Sequence, residues 1–115
     1  MERTLAAMRA AGRKCGIVER FMHNKHVGAG HRSDLFNIFD VVAMDTHIIG
    51  VQVCGKDYAP HYRKITQEFK CNAIQWLNAG GRIEIWSWRK IRTGRGTKEM
   101  RWAPRMVEIT VEDIK

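Results

Sequence analysis

A chain of 115 residues, 44% hydrophobic and 28% charged, has room for one domain (1–115) around a single modest core. Its 20 Lys and Arg stand against 12 Asp and Glu, a net charge of +8 with a pI near 9.9, and so point to a polyanionic partner rather than to a merely soluble basic protein. Cys15, Cys54 and Cys71 are odd in number and lack CxxC spacing, no apolar run approaches the roughly 18 residues of a membrane span, and Leu5-Ala6-Ala7-Met8 is cut short by Arg9, so a disulfide frame, a membrane span and a secretory leader are not expected and a cytoplasmic setting, in a cell or a phage-infected host, is.

The elements follow in chain order. Thr4 to Ala11 predicts a short helix with Leu5 and Met8 on one face and Gly12 as its stop. Cys15 to Met22 predicts a strand, and His23 to Ser33, with Gly28 and Gly30, a polar loop. Leu35 to Met44 and Ile48 to Cys54 are apolar strand candidates joined at Asp45-Thr46-His47. From Pro60 the stripe Ile65, Phe69, Ala73 and Leu77 predicts one helix, ended by Gly80-Gly81. Arg82 to Trp88 alternates as a strand, Arg92 to Thr97 is a glycine-containing loop, and Met106 to Val111 is a last strand. The class is α/β or α+β, with the order helix, three strands, helix, strand and a C-terminal β extension.

Two polar residues interrupt the middle strands. Asp40 breaks the run from Leu35 to Met44, and Gln52 breaks the run from Ile48 to Cys54. A carboxylate among such neighbours is costly unless it is paired, hydrogen-bonded or metal-bound. A hairpin with a three-residue loop puts Met44 opposite Ile48 and Asp40 opposite Gln52, on one face and about 5 Å apart; a slip of one residue would undo this. Glu19 adds a carboxylate on the preceding strand. Two carboxylates and a carbonyl oxygen on adjacent strands suit Mg²⁺, which takes few hard oxygen ligands from protein and the rest from water and phosphate. The plain alternative is that Asp40 and Gln52 are satisfied by backbone donors.

The segments Gly16-Ile17-Val18-Glu19-Arg20-Phe21, Arg32-Ser33-Asp34-Leu35-Phe36-Asn37-Ile38-Phe39-Asp40 and Gly50-Val51-Gln52-Val53 resemble the three catalytic motifs of the PD-(D/E)XK nuclease superfamily. They are most similar to small phage and prokaryotic proteins related to Holliday-junction resolvases. The likeness continues through Arg63-Lys64-Ile65 and Trp76-Leu77-Asn78-Ala79-Gly80-Gly81 to Glu84-Ile85-Trp86-Ser87-Trp88, roughly residues 12–90. The resemblance implies an αβββαβ restriction-endonuclease-like core with a central mixed sheet, and Mg²⁺ or Mn²⁺ held by Glu19, Asp40 and Gln52, with the Val53 carbonyl as a fourth ligand. The third motif departs from the pattern: the superfamily has Glu or Gln, any residue, then Lys, whereas Gln52-Val53 is followed by Cys54. Lys56, taken to share the strand face, is the first choice to replace that cation, and Lys64 the second.

Arg89, Lys90, Arg92, Arg95, Lys98, Arg101 and Arg105, near Trp86, Trp88 and Trp102, form a basic stretch around Gly94 and Gly96 that suits a nucleic-acid backbone; the alternative is a solvated hairpin whose tryptophans are core. Arg32, Arg63 and Lys64 are expected nearer the metal, beside the phosphates. His23, His26 and His31 with Cys15 fit no recognised zinc spacing, and Cys54 lacks a local base for nucleophilic work. The expected function is a metal-dependent DNA endonuclease, possibly selective for branched DNA and, as the resemblance implies, a homodimer. The rivals are a catalytically silent nucleic-acid-binding protein of the same fold and a structural protein whose charge only aids solubility.

Overall fold

Leu5 and Met8 lie one turn apart, so a helix presents both to a single neighbour, and Gly12 at φ 86° ends it in the left-handed conformation that glycine adopts freely. A computed structural model describes residues 1–24, 29–96 and 98–114, excepting the side chains of 21–24 and 29–32. The elements are α1 (Glu2–Ala10), β1 (Lys14–Ile17), β2 (Arg20–Asn24), β3 (Ala29–Ser33), β4 (Val41–Met44), β5 (Ile48–Cys54), α2 (Tyr58–Arg63), a π-helical turn (Lys64–Glu68), α3 (Lys70–Asn78), β6 (Arg82–Arg92), β7 (Met100–Ile109) and a 3₁₀ turn (Val111–Asp113).

The fold is mixed α+β. Five strands form one mixed sheet in the order β1-β4-β5-β6-β7, with β5 and β6 parallel and the other neighbours antiparallel; β2 and β3 form a separate hairpin. Parallel neighbours need a long crossover, and α2, the π turn and α3 provide it. Alternation along β5 divides the core in two. Ile49 and Val51 pack with Val41, Ala43 and the α1 residues Leu5 and Met8. On the opposite face Ile83, Ile85 and Ile109 pack with Ile65 and Ala73 of the crossover and with Ile38 and Phe39. Gly50 is required there, because a Cβ would stand 2.4 Å from the Phe39 ring.

Several expected elements change in detail. The Cys15–Met22 strand breaks at Val18-Glu19, whose backbone N–H groups both donate to the Asp40 carbonyl (2.9 and 3.2 Å), and the chain leaves the sheet into β2. The His23–Ser33 loop is largely strand, paired as β2–β3. Only the end of Leu35–Met44 is a ladder strand; Asp34 to Phe39 is a tight turn with positive φ at Phe36 (54°) and Asn37 (64°), which places Ile38 and Phe39 fully inside the core. The single helix from Pro60 is interrupted: Phe69 N–H donates to Lys64 O (2.8 Å) and the Thr66 hydroxyl to Tyr62 O (2.8 Å), competing with the α ladder. The stripe survives this, and Ile65, Phe69, Ala73 and Leu77 all reach the core. The last strand starts at Met100 rather than Met106, because β6 runs on to Arg92 and gives it a partner; Pro104 is tolerated on this edge strand.

Candidate metal centre and the cleft around it

The hairpin register is the one the three-residue loop implies, with Val41 opposite Val51 and Met44 opposite Ile48. Asp40 stands just before β4 and is fixed from three sides. Its N–H donates to Val51 O (2.9 Å), and its carbonyl accepts from Val18 and Glu19. One carboxylate oxygen, Oδ2, accepts from Gln52 Nε2 (2.8 Å) and from Val53 N–H (2.9 Å). Asp40 is 5% exposed and Gln52 3%. The break after β1 therefore does structural work, since the Asp40 carbonyl that captures the Val18-Glu19 turn also brings Glu19 to the site.

Asp34, which sequence reasoning quoted within a motif but assigned no role, belongs to the same cluster. Carboxylate oxygens of Glu19, Asp34 and Asp40 lie within 4.8 Å of one another. A hydrogen bond between Asp34 and Asp40 lowers the pKa of Asp34 and raises that of Asp40. Burial first, then that bond and the charges of Asp34 and Glu19, push the Asp40 carboxyl up to about 8, against the opposing pull of Val53 N–H. Burial also raises Asp34, but the bond from Asp40 and the Lys64 cation outweigh it and hold Asp34 below its ordinary value. Of the two, Asp40 is the one whose protonated form the fold favours. No sequence period marks Asp34, because it enters the cluster through an irregular turn.

Lys64 Nζ lies 2.9 Å from Asp34 Oδ2 with both side chains largely covered. Lys64 opens the π turn, an irregularity that recurs at functional sites in helices. Lys56 is exposed in the turn beyond β5 and is not on the strand face, since β5 ends at Cys54. Of the two lysines, Lys64 is the one in contact with the acid cluster. Cys54 is 7% exposed, and burial, with Asp40 and Asp57 adding to it, pushes its thiol up, which disfavours a nucleophilic thiolate.

Gln52 departs from the expected ligand geometry. Its amide nitrogen, not its oxygen, faces Asp40, and Oε1 is buried without a hydrogen-bond partner. Turning the amide over would bring that oxygen to the carboxylate, an exchange that a cation favours and a lone carboxylate opposes. The donor set fits a hard divalent ion: three carboxylates and one amide oxygen lacking a partner.

Glu19, Asp40, Val53 and Cys54 line a cleft of about 350 Å³ together with Met1, Arg3, Trp88 and Trp102. Arg89, Lys90, Arg92, Arg95 and Lys98 are exposed on β6 and the β6–β7 connection. Arg63 is exposed on α2 and lines a second, polar groove with Lys64. Arg32 lies in β3 just before Ser33-Asp34, but its side chain is outside the described residues, as are those of His23 and His31 and the whole of His26. Trp86 and Trp88 are half-buried, donating to Glu84 Oε1 (2.9 Å) and Thr4 Oγ1 (2.7 Å), whereas Trp102 is 42% exposed. No helix among the described residues is long and apolar enough to cross a membrane. Comparison with protein-family models, with curated proteins and with solved structures finds no match.

Proposed function

We propose that the chain is a metal-dependent DNA endonuclease with a restriction-endonuclease-like core, acting as a homodimer when two strands are cut. The observation that carries this reading is the convergence of Glu19, Asp34 and Asp40, with Lys64 on Asp34, at the sheet end where the segments resembling the PD-(D/E)XK motifs meet. Asp40 is buried and Glu19 and Asp34 are half-buried, and crowding three carboxylates in this way is costly unless a cation offsets their charge. Glu19, Asp34 and Asp40 would hold Mg²⁺ or Mn²⁺, with Gln52 Oε1 as a neutral fourth ligand. A bound ion of this type polarises a phosphodiester and lowers the pKa of an attacking water.

The chain's own groups supply the rest. Lys64 stands in for the cation missing at Cys54 and offsets negative charge growing on the scissile phosphate. Arg63, on the groove it shares with Lys64, and Arg3, on the cleft wall, take flanking phosphates. One observation favours the silent nucleic-acid-binding alternative: Gln52 Nε2 and Val53 N–H satisfy Asp40 Oδ2 with no metal.

Incubating branched and linear DNA with the protein, with and without Mg²⁺ or Mn²⁺, separates the two. Metal-dependent cleavage is expected, abolished in Asp40→Asn and lowered on the order of 10²-fold in Lys64→Met, the scale of losing one transition-state donor. DNA binding without cleavage under either metal would leave the silent reading in place.

A further inference from the structure

The β6–β7 register sorts the basic stretch into two faces. Lys90 pairs with Trp102, Arg92 with Met100 and Trp88 with Pro104, so these side chains share the face toward α1, where the metal cleft opens. Arg89, Arg101 and Arg105 fall on the other face, and Arg105 there lies 4.7 Å from the Tyr58 ring centre. Beyond Ser87 the strand β6 has left β5, so this part of the hairpin stands clear of the sheet.

Trp102 is an exposed indole with two cations over it: the Arg3 guanidinium at 4.4 Å from the ring centre and the Lys90 ammonium at 5.3 Å. Trp102 lies outside the buried core at 42% exposure, whereas the Trp86 and Trp88 N–H groups are anchored on the buried Glu84 and Thr4. Arg3 and Trp102 both line the cleft that holds Glu19 and Asp40. A flat aromatic face beside paired cations matches the repeating unit of an unpaired strand, a base that stacks next to a phosphate that carries charge. In continuous duplex the bases are stacked on each other and offer no free face.

Resting on the nucleic-acid reading above, we propose that Trp102, with Arg3 and Lys90, is a stacking platform for an unpaired nucleobase at the mouth of the Glu19–Asp40 cleft, and that the protein therefore engages DNA where strands are open, as at flaps, gaps or branch points, in preference to blunt duplex. Arg3 and Lys90 shift from the indole to the phosphates flanking the stacked base.

The test is binding of fluorescein-labelled DNA by anisotropy in EDTA, which removes cleavage from the readout. A flap or a single-stranded oligonucleotide is compared with blunt duplex of equal length, using wild type, Trp102→Ala and Trp102→Phe. Trp102→Ala is expected to lose about 5- to 150-fold for the open substrates, the range for removing one stacked base, with little change for duplex, while Trp102→Phe keeps most of the affinity. Equal loss on duplex and open DNA, no loss on either, or no DNA binding at all would overturn the proposal. Stacking without any metal-dependent cleavage would uphold it and sink the nuclease reading; cleavage with no role for Trp102 would do the reverse.

Discussion

Asp40 holds a carboxyl where the strand around it supplies only apolar neighbours, and its hydrogen bonds explain why it is tolerated. Its ordinary value of 3.8 rises to about 8 in the fold. Between those values the folded chain keeps a proton that the unfolded chain releases, so the metal-free protein loses stability as pH rises from about 4 to about 8. Asp40→Asn keeps the shape and an oxygen to accept from Val53 and Gln52 but has no proton to lose. Thermal melts in EDTA across that range should fall more steeply for wild type than for Asp40→Asn; parallel curves would mean that Asp40 is ionised without a metal. Added Mg²⁺ should restore wild type most at the alkaline end, where the ion no longer competes with the proton. The Asp40–Gln52 pairing was legible in the sequence because a three-residue loop fixes hairpin register. Asp34 was not, since a turn with positive φ at Phe36 and Asn37 is imposed by burying Ile38 and Phe39 and leaves no period to read.

At the scale of elements, the sheet is held by an ion pair that strand patterns do not announce. Arg13, between α1 and β1, reaches across β4 and β5 to Glu84 on β6 with two hydrogen bonds (2.8 and 3.1 Å), while Trp86 donates to the same carboxylate and Asp45 accepts from Arg13 Nε (3.3 Å). Glu84 is 3% exposed. Arg13→Met would keep the apolar stem and leave a buried carboxylate without its counter-charge, at a cost of about 3–5 kcal/mol by urea unfolding. A loss under about 1 kcal/mol would show that Trp86 and water satisfy Glu84 unaided. The order of elements was readable from periodicity and glycine stops, but their ends were not. The strand break at Val18-Glu19 depends on the distant Asp40 carbonyl, and the extension of β7 to Met100 depends on where β6 ends, both settled by pairing rather than by local preference. The expectation that Lys56 shares the strand face missed for a related reason, since it assumed that β5 continued past Cys54.

For the molecule as a whole, the surplus of +8 is unevenly spread. Cations line the hairpin and the helix surface, while the acids that matter gather at one sheet end beside Arg3, Lys64 and Trp102. A basic surface around an acidic pocket suits a polyanion and, on the proposed reading, leaves a place for a divalent ion. The proposed nuclease activity turns on whether Glu19, Asp34 and Asp40 bind a divalent cation. Titrating metal-free protein with Mn²⁺ at about pH 8 and following free Mn²⁺ by electron paramagnetic resonance measures this without DNA or activity. One ion per chain is expected, displaced by Mg²⁺, lost in Asp40→Asn and retained in Asp45→Asn, whose carboxylate sits in the β4–β5 turn at the far end of the hairpin. No binding up to about 10 mM, far weaker than working Mg²⁺ sites, or binding that survives Asp40→Asn would contradict the metal centre.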